Sequence, residues 1–105
     1  MSTETAPPDL ADKAADAARL LRLLAHEARL LVLCELAGRE EASAGELVEV
    51  SGLSQPALSQ HLAKLREDGL VATRREAQMI FYRLADPKAA RILEALRAIY
   101  CPDPA

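Results

Sequence analysis

At 105 residues, half of them apolar but only 3% aromatic, the chain is sized for one domain. Its core must be Leu, Ala, Val and Ile, a composition that favours packed helices. There is no apolar run of the ~18 residues that span a bilayer, no secretory start, and two cysteines are too few for a disulfide framework. A cytoplasmic protein with no membrane partner is expected, and its net charge of −3 speaks against indiscriminate binding to polyanions.

In chain order, residues 1–9 are small, polar and acidic with two prolines, the composition of a disordered tail. From Leu10 to Leu36 neither Gly nor Pro intervenes. Leu10, Ala14, Ala17, Leu21 and Leu24 fall on one helical face, and pattern alone allows one long helix. Gly38–Ala42 is a charged connection. Ser43 and Glu46 form a Ser-x-x-Glu capping box that starts a short helix through about Val50, with Leu47 and Val50 inward. Gly52 suits the left-handed position that ends it, and Leu53 tucks under the turn. Ser54 caps the next helix, with Pro56 tolerated in its first turn. There Leu58, Leu62 and Leu65 form the buried stripe. Pro56, Ser59, Gln60 and Ala63 point away from it, until Gly69 ends the helix.

Leu70–Arg75 and Met79–Leu84 then alternate as two strands joined tightly at Glu76–Gln78, with Ile80, Tyr82 and Leu84 on one face. Asp86-Pro87 is an N-cap followed by Pro at the first helical position. The last helix presents Ala89, Ile92, Leu93, Leu96, Ile99 and Tyr100, and Pro102 and Pro104 stop it. The expected organisation is a tail (1–9), one domain (10–101) and a C-terminal tail (102–105).

Two helices meeting at a glycine turn, then a hairpin, make a winged helix-turn-helix, an arrangement that mostly serves duplex DNA. The second helix carries Ser and Gln where a solvated helix usually carries Glu and Lys. Gln pairs with adenine in a bidentate way and Ser serves either base, so Ser54, Gln55, Pro56, Ser59, Gln60 and His61 form the expected reading face. Arg66, Arg74 and Arg75 suit phosphates or the minor groove beside the hairpin. Charge agrees: residues 1–53 are net −5, residues 54–83 net +2 and residues 84–105 neutral. The positive excess thus lies where phosphate contact needs it.

The motifs Leu24-Ala25-His26-Glu27-Ala28-Arg29-Leu30, Gly45-Glu46-Leu47, Leu53 through Leu62, Leu65-Arg66, Gly69-Leu70-Val71, Arg74-Arg75 and Tyr82-Arg83-Leu84 resemble the ArsR family of winged-helix bacterial repressors over roughly residues 14–101. The resemblance implies a mainly α fold of about five helices with a small β-hairpin wing. It places a helix break near His26 and a homodimer through the first and last helices. Such a dimer binds an inverted-repeat operator in double-stranded DNA, its half-sites about one helical turn apart. Ala77 departs from the Gly common in the family's wing turn, which leaves the turn geometry open.

Many members of this family sense metals, but here the helix before the reading helix has no Cys and the last helix no His. No metal site or cofactor is therefore expected. Leu33-Cys34-Glu35-Leu36 and Ile99-Tyr100-Cys101, with Leu84-Ala85-Asp86-Pro87, are similar to the dithiol repressors of the BigR and SqrR type. That resemblance implies that reactive sulfur species, persulfide or polysulfide, link Cys34 and Cys101 within one subunit and release the operator. Three readings stay open beside it: a repressor of general oxidants, a metal or no ligand, with inert cysteines; a winged-helix protein-interaction module; and an enzyme pairing Cys34 with His26 or His61. The last is not expected, because no phosphate loop or carboxylate pair accompanies it.

Overall fold

The computed structural model describes residues 8–101, so residues 1–7 of the tail expected at 1–9, and the tail expected at 102–105, lie outside the described residues. Five helices and three short strands follow in the order α1 (Pro8–Leu24), α2 (Glu27–Ala37), β1 (Ala42–Ser43), α3 (Ala44–Ser51), α4 (Gln55–Glu67), β2 (Val71–Glu76), β3 (Met79–Leu84) and α5 (Pro87–Tyr100). Helix α1 starts two residues inside the stretch expected to be a tail. Among the described residues no helix is long and apolar enough to cross a membrane.

The break between α1 and α2 is made by His26. Its backbone is extended (φ −150°, ψ 126°), and its Nδ1 accepts a hydrogen bond from the Ala28 N–H at 3.2 Å. The imidazole thus does the work usually left to Ser, Thr, Asp or Asn. Beyond the break, α2 is the hub of the molecule. Ala28, Val32, Leu33 and Leu36 are buried on it, and it packs on α3, α5 and β3. Leu47, Leu58, Leu65, Leu70 and Leu93 close the core around Val32 and Leu33. On α3, Val48 rather than Val50 packs against the core beside Leu47.

The capping box forms as the sequence predicts: Ser43 Oγ accepts from the Glu46 N–H at 3.2 Å, and the Ser43 N–H donates to Glu46 Oε1 at 2.8 Å. Gly52 takes φ 72° between α3 and α4. Ser54 caps α4, its Oγ accepting from the Ala57 N–H at 3.3 Å. Asp86 caps α5 through Oδ1, which accepts from Lys88 and Ala89.

The sheet corrects one expectation. It has three strands, not two, in the order β1-β3-β2, all antiparallel. Ala42 pairs with Tyr82 and Ser43 with Phe81, so the end of the charged connection becomes an edge strand. Two residues are too short to show the alternation by which a strand is read.

On α1 the apolar stripe predicted on one helical face divides: Ala14, Ala17 and Leu21 are exposed, whereas Leu24, with Leu20 and Leu23, makes the contact with the core. At the other end of the chain, Ile99 and Tyr100 are 66% and 77% exposed. Apolar surface on both terminal helices is therefore left uncovered in the single chain.

The hairpin turn is a two-residue loop between Glu76 and Met79. Ala77 carries φ 56°, and Gln78 is not in the left-handed region. That pattern matches a II′ turn, which favours Gly at its first central position. A left-handed φ costs an alanine roughly 1–2 kcal/mol, partly offset by its lower freedom in the unfolded chain. Ala77→Gly is expected to raise stability by roughly 0.5–1 kcal/mol, a gain of a few degrees in Tm. Thermal melts of the two proteins at equal concentration check it, and an unchanged or lower Tm would show the turn to be unstrained.

Candidate nucleic-acid interface and thiol pair

Helix α4 buries Leu58, Leu62 and Leu65. That fixes its rotation and leaves Gln55, Pro56, Ser59, Gln60, Ala63, Lys64 and Arg66 exposed. Among the described residues, Gln55, Ser59 and Gln60 have no side-chain hydrogen bond within the chain, so their polar groups are available to another molecule. Ser54 is exposed too, but its hydroxyl oxygen is already engaged as the helix cap.

Two residues of the expected interface are placed differently. His61 is half-buried and faces the α1–α2 break. Its ring centroid lies 4.6 Å from that of His26, and its Nδ1 accepts from Arg29 Nε at 3.3 Å. Arg29 Nη1 in turn donates to the Leu23 carbonyl at 3.2 Å. Burial pushes the His61 pKa down, and the neighbouring His26 and Arg29 charges push the same way. His61 is thus a neutral tie between α4 and the start of α2, not part of the outward face. The two imidazoles contact each other, which does not support either as a base for Cys34.

Arg74 is likewise occupied. Its Nε and Nη2 donate to the two carboxylate oxygens of Glu41, and its Nη1 to Glu76 Oε1, each at 2.8 Å. The guanidinium lies 4.8 Å over the Phe81 ring. This fork-to-fork pairing holds the Glu41 pKa down and clamps the approach to β1 onto β2. Arg66, Arg75 and Arg83 are exposed, and none enters an ion pair among the described residues. Arg83 was missing from the sequence expectation. In the ladder it stands opposite Ala72, on the face that also carries Arg74, whereas Arg75 stands opposite Ile80 on the other face. Period-two alternation of the hairpin was the signal that could have separated these three arginines.

The two cysteines lie on α2 and at the C-cap of α5, helices that pack against each other. Cys34 is half-buried on α2 and Cys101 is exposed at the end of α5; both are free thiols. Burial raises the Cys34 pKa. The Arg97 guanidinium pulls it back, and Cys101, near enough to act on it electrostatically, adds to the rise. Arg97 joins the two helix ends. Its Nη1 donates to the Cys34 carbonyl at 3.0 Å, and its own carbonyl accepts the Cys101 N–H at 2.8 Å. A Cβ on Gly38, at the C-cap of α2, would lie 2.7 Å from the Arg97 guanidinium carbon. The sequence reading missed Arg97, which looks like any cation in a last helical turn. Among the described residues no group of three or more His, Cys, Asp and Glu is arranged to hold a metal ion.

The sequence profile described as "Bacterial regulatory protein, arsR family" matches residues 26–73. The Biofilm growth-associated repressor of Agrobacterium fabrum (strain C58) is 54% identical over 94 residues, covering 90% of this chain and 80% of that protein. The Transcriptional activator HlyU of Vibrio cholerae is 47% identical over 93 residues, covering 89% and 85%. The crystal structure of the transcriptional repressor BigR from Xylella fastidiosa superposes with a TM-score of 0.83 at 43% identity, covering 94% of this chain and 100% of that one. These relatives are regulators of transcription, named for opposite signs of control.

The His61 tie has a pH signature. Its folded pKa is depressed below the ordinary 6.5, so the unfolded chain binds the proton more readily. Its stabilising contribution is whole above the ordinary value and is lost as pH falls through the lower folded value. Gln can still accept from Arg29 but does not titrate, so His61→Gln is expected to flatten the fall in Tm between about pH 7.5 and 5.5. Melts across that range check it; parallel curves for the two proteins would show that His61 is not the titrating group.

Proposed function

The chain belongs to the arsR family of bacterial regulatory proteins, and from that premise we propose that it is a sequence-specific repressor whose operator is released when persulfide or polysulfide joins Cys34 to Cys101. What supports the sensing half is that Arg97, one turn before Cys101 on α5, reaches the Cys34 carbonyl at 3.0 Å, so the helices that carry the two thiols adjoin there. The exposed face of α4 carries the DNA-binding half.

In this reading α4 enters the major groove. Gln55, Ser59 and Gln60 meet base edges, with Pro56 and Ser54 at the mouth of the helix. Arg66, Arg75 and Arg83 meet phosphates, a role in which Arg83 takes the place first expected of Arg74. The uncovered Ala17, Leu21, Ile99 and Tyr100 support a homodimer through α1 and α5, because apolar patches on both terminal helices favour burial against a second copy. A two-fold dimer then reads two half-sites of an inverted repeat.

The exposed Cys101 is the better placed first nucleophile. Its thiolate attacks the outer sulfur of a persulfide RS–SH, forming Cys101–S–SH and expelling RS⁻. The Cys34 thiolate then attacks the Cys101 sulfur, forming the Cys34–Cys101 disulfide and expelling HS⁻. In sum, two thiols are oxidised and one persulfide is reduced to RSH and H2S. A further sulfane sulfur retained between the cysteines gives a longer bridge. Either product ties the dimer-forming α5 to α2, on which α3 and α4 depend, and so alters the spacing of the two reading helices. Allosteric couplings of this kind are typically ~1–3 kcal/mol, about 5- to 150-fold in affinity.

Gln60→Ala is expected to weaken operator binding by about 1–3 kcal/mol with fold and dimer intact; undiminished affinity would remove Gln60 from the reading face. Cys34→Ser and Cys101→Ser are each expected to bind operator and to be indifferent to polysulfide. The deciding experiment is binding to the promoter upstream of the protein's own gene, before and after polysulfide or peroxide, followed by intact mass. Release by polysulfide alone, with two hydrogens lost or sulfur gained within one subunit, supports the reading. Equal release by peroxide points to a general oxidant sensor. Binding unmoved by either reagent leaves a repressor with inert cysteines, and no binding at low salt leaves a protein-interaction module.

A further inference from the structure

We infer that Arg97 is the positioning residue of the thiol pair, and that Gly38 leaves room for its guanidinium. This rests on the sensing reading above and adds to it the residue that ties together the helices carrying the two sulfurs.

Three observations converge on Arg97. First, α2 has no basic residue in its own last turn, although the carbonyls there are the negative end of the helix. Arg97 supplies that cation from α5, and its Nη1 donates to the Cys34 carbonyl at 3.0 Å. Second, Arg97 lies one turn before Cys101, whose N–H donates to the Arg97 carbonyl at 2.8 Å as the closing bond of α5. The Arg97 side chain therefore reaches Cys34 from the turn that carries Cys101. Third, Gly38 has φ −92° and ψ −2°, a conformation open to any residue, so the backbone does not call for glycine. A Cβ at Gly38 would stand 2.7 Å from both the guanidinium carbon and Nη1, and would push that exposed side-chain end away from the Cys34 carbonyl.

This geometry bears on the second step of bridging. Once Cys101 carries the outer sulfur, Cys34 must attack as a thiolate from a half-buried position. Burial disfavours that thiolate, and the Arg97 charge opposes the penalty as cations beside reactive cysteines do. Without Arg97 the first step proceeds at the exposed Cys101, whereas the second slows. The intermediate persulfide on Cys101 then accumulates where wild type gives the disulfide.

The test uses the full chain with Arg97→Ala, Arg97→Lys and Gly38→Ala. Gly38→Ala displaces the guanidinium without removing it, and it stands in for Arg97→Ala if that variant fails to fold. In a Cys101→Ser background, the pH profile of Cys34 alkylation by iodoacetamide is measured. Arg97→Ala is expected to shift it upward, with slower alkylation near neutrality. Gly38→Ala is expected to shift it in the same direction, and Arg97→Lys by less than either. With both cysteines present, an inorganic polysulfide is expected to leave Arg97→Ala enriched in the mass of one added sulfur, whereas wild type loses two hydrogens. Reduced operator binding stays unchanged. Alkylation profiles that superimpose on wild type in both Arg97→Ala and Gly38→Ala overturn the inference. Failure of wild type itself to bridge overturns the sensing reading instead, and the alkylation profiles still decide whether Arg97 governs Cys34.

Discussion

Burial of α2 is the constraint on which the other elements depend. Val32, Leu33 and Leu36 are removed from water almost completely, at roughly 25 cal/mol for each Å² of apolar surface buried. Helices α3 and α5 and strand β3 take their positions from that contact. Both ends of α2 are polar, and each holds another element. At its start, His26 and Arg29 receive His61 from α4. At its end, the Cys34 carbonyl and Gly38 receive Arg97 from α5. A helix held this way links the outward face of α4 to the end of α5 through packed side chains and few hydrogen bonds. In the proposed switch, α2 is the element through which a change at Cys34 and Cys101 would be passed to the reading face.

Much of this was legible in the sequence, and what was legible has a common cause. Capping boxes, glycine turns and apolar stripes act over three or four residues, so Ser43 with Glu46, Gly52, Ser54, and Leu58 with Leu62 and Leu65 declared themselves. The break near Ala25–Glu27 came from the family resemblance. Local pattern cannot supply it, since histidine is an uncommon cap and neither Gly nor Pro marks the spot. Strand β1 escaped because it exists only by pairing with β3. On α1, a stripe of apolar residues was seen, but periodicity identifies a face and not what covers it.

The site residues divide along the same line. Exposure of Pro56, Ser59, Gln60 and Ala63 followed from the buried stripe opposite them. His61, Arg74 and Arg97 were misjudged or missed because their partners lie 32, 33 and 63 positions away. Spacing carries no information over such separations. Among the arginines, the distinction that matters is whether the guanidinium already has a carboxylate, and only the folded chain sets Glu41 beside Arg74.

The Arg74 clamp has a consequence for how binding responds to ionic strength. A guanidinium already neutralised by Glu41 and Glu76 displaces no counterion from DNA when the protein docks. In the proposed dimer, Arg66, Arg75 and Arg83 leave about six phosphate contacts, whereas counting Arg74 would give about eight. At a slope near −0.9 per phosphate, the logarithm of affinity falls with the logarithm of salt by about 5 and not about 7. The clamp itself is exposed and is screened as salt rises, over the same range in which phosphate contacts weaken, so raising the salt does not recruit Arg74 to the DNA.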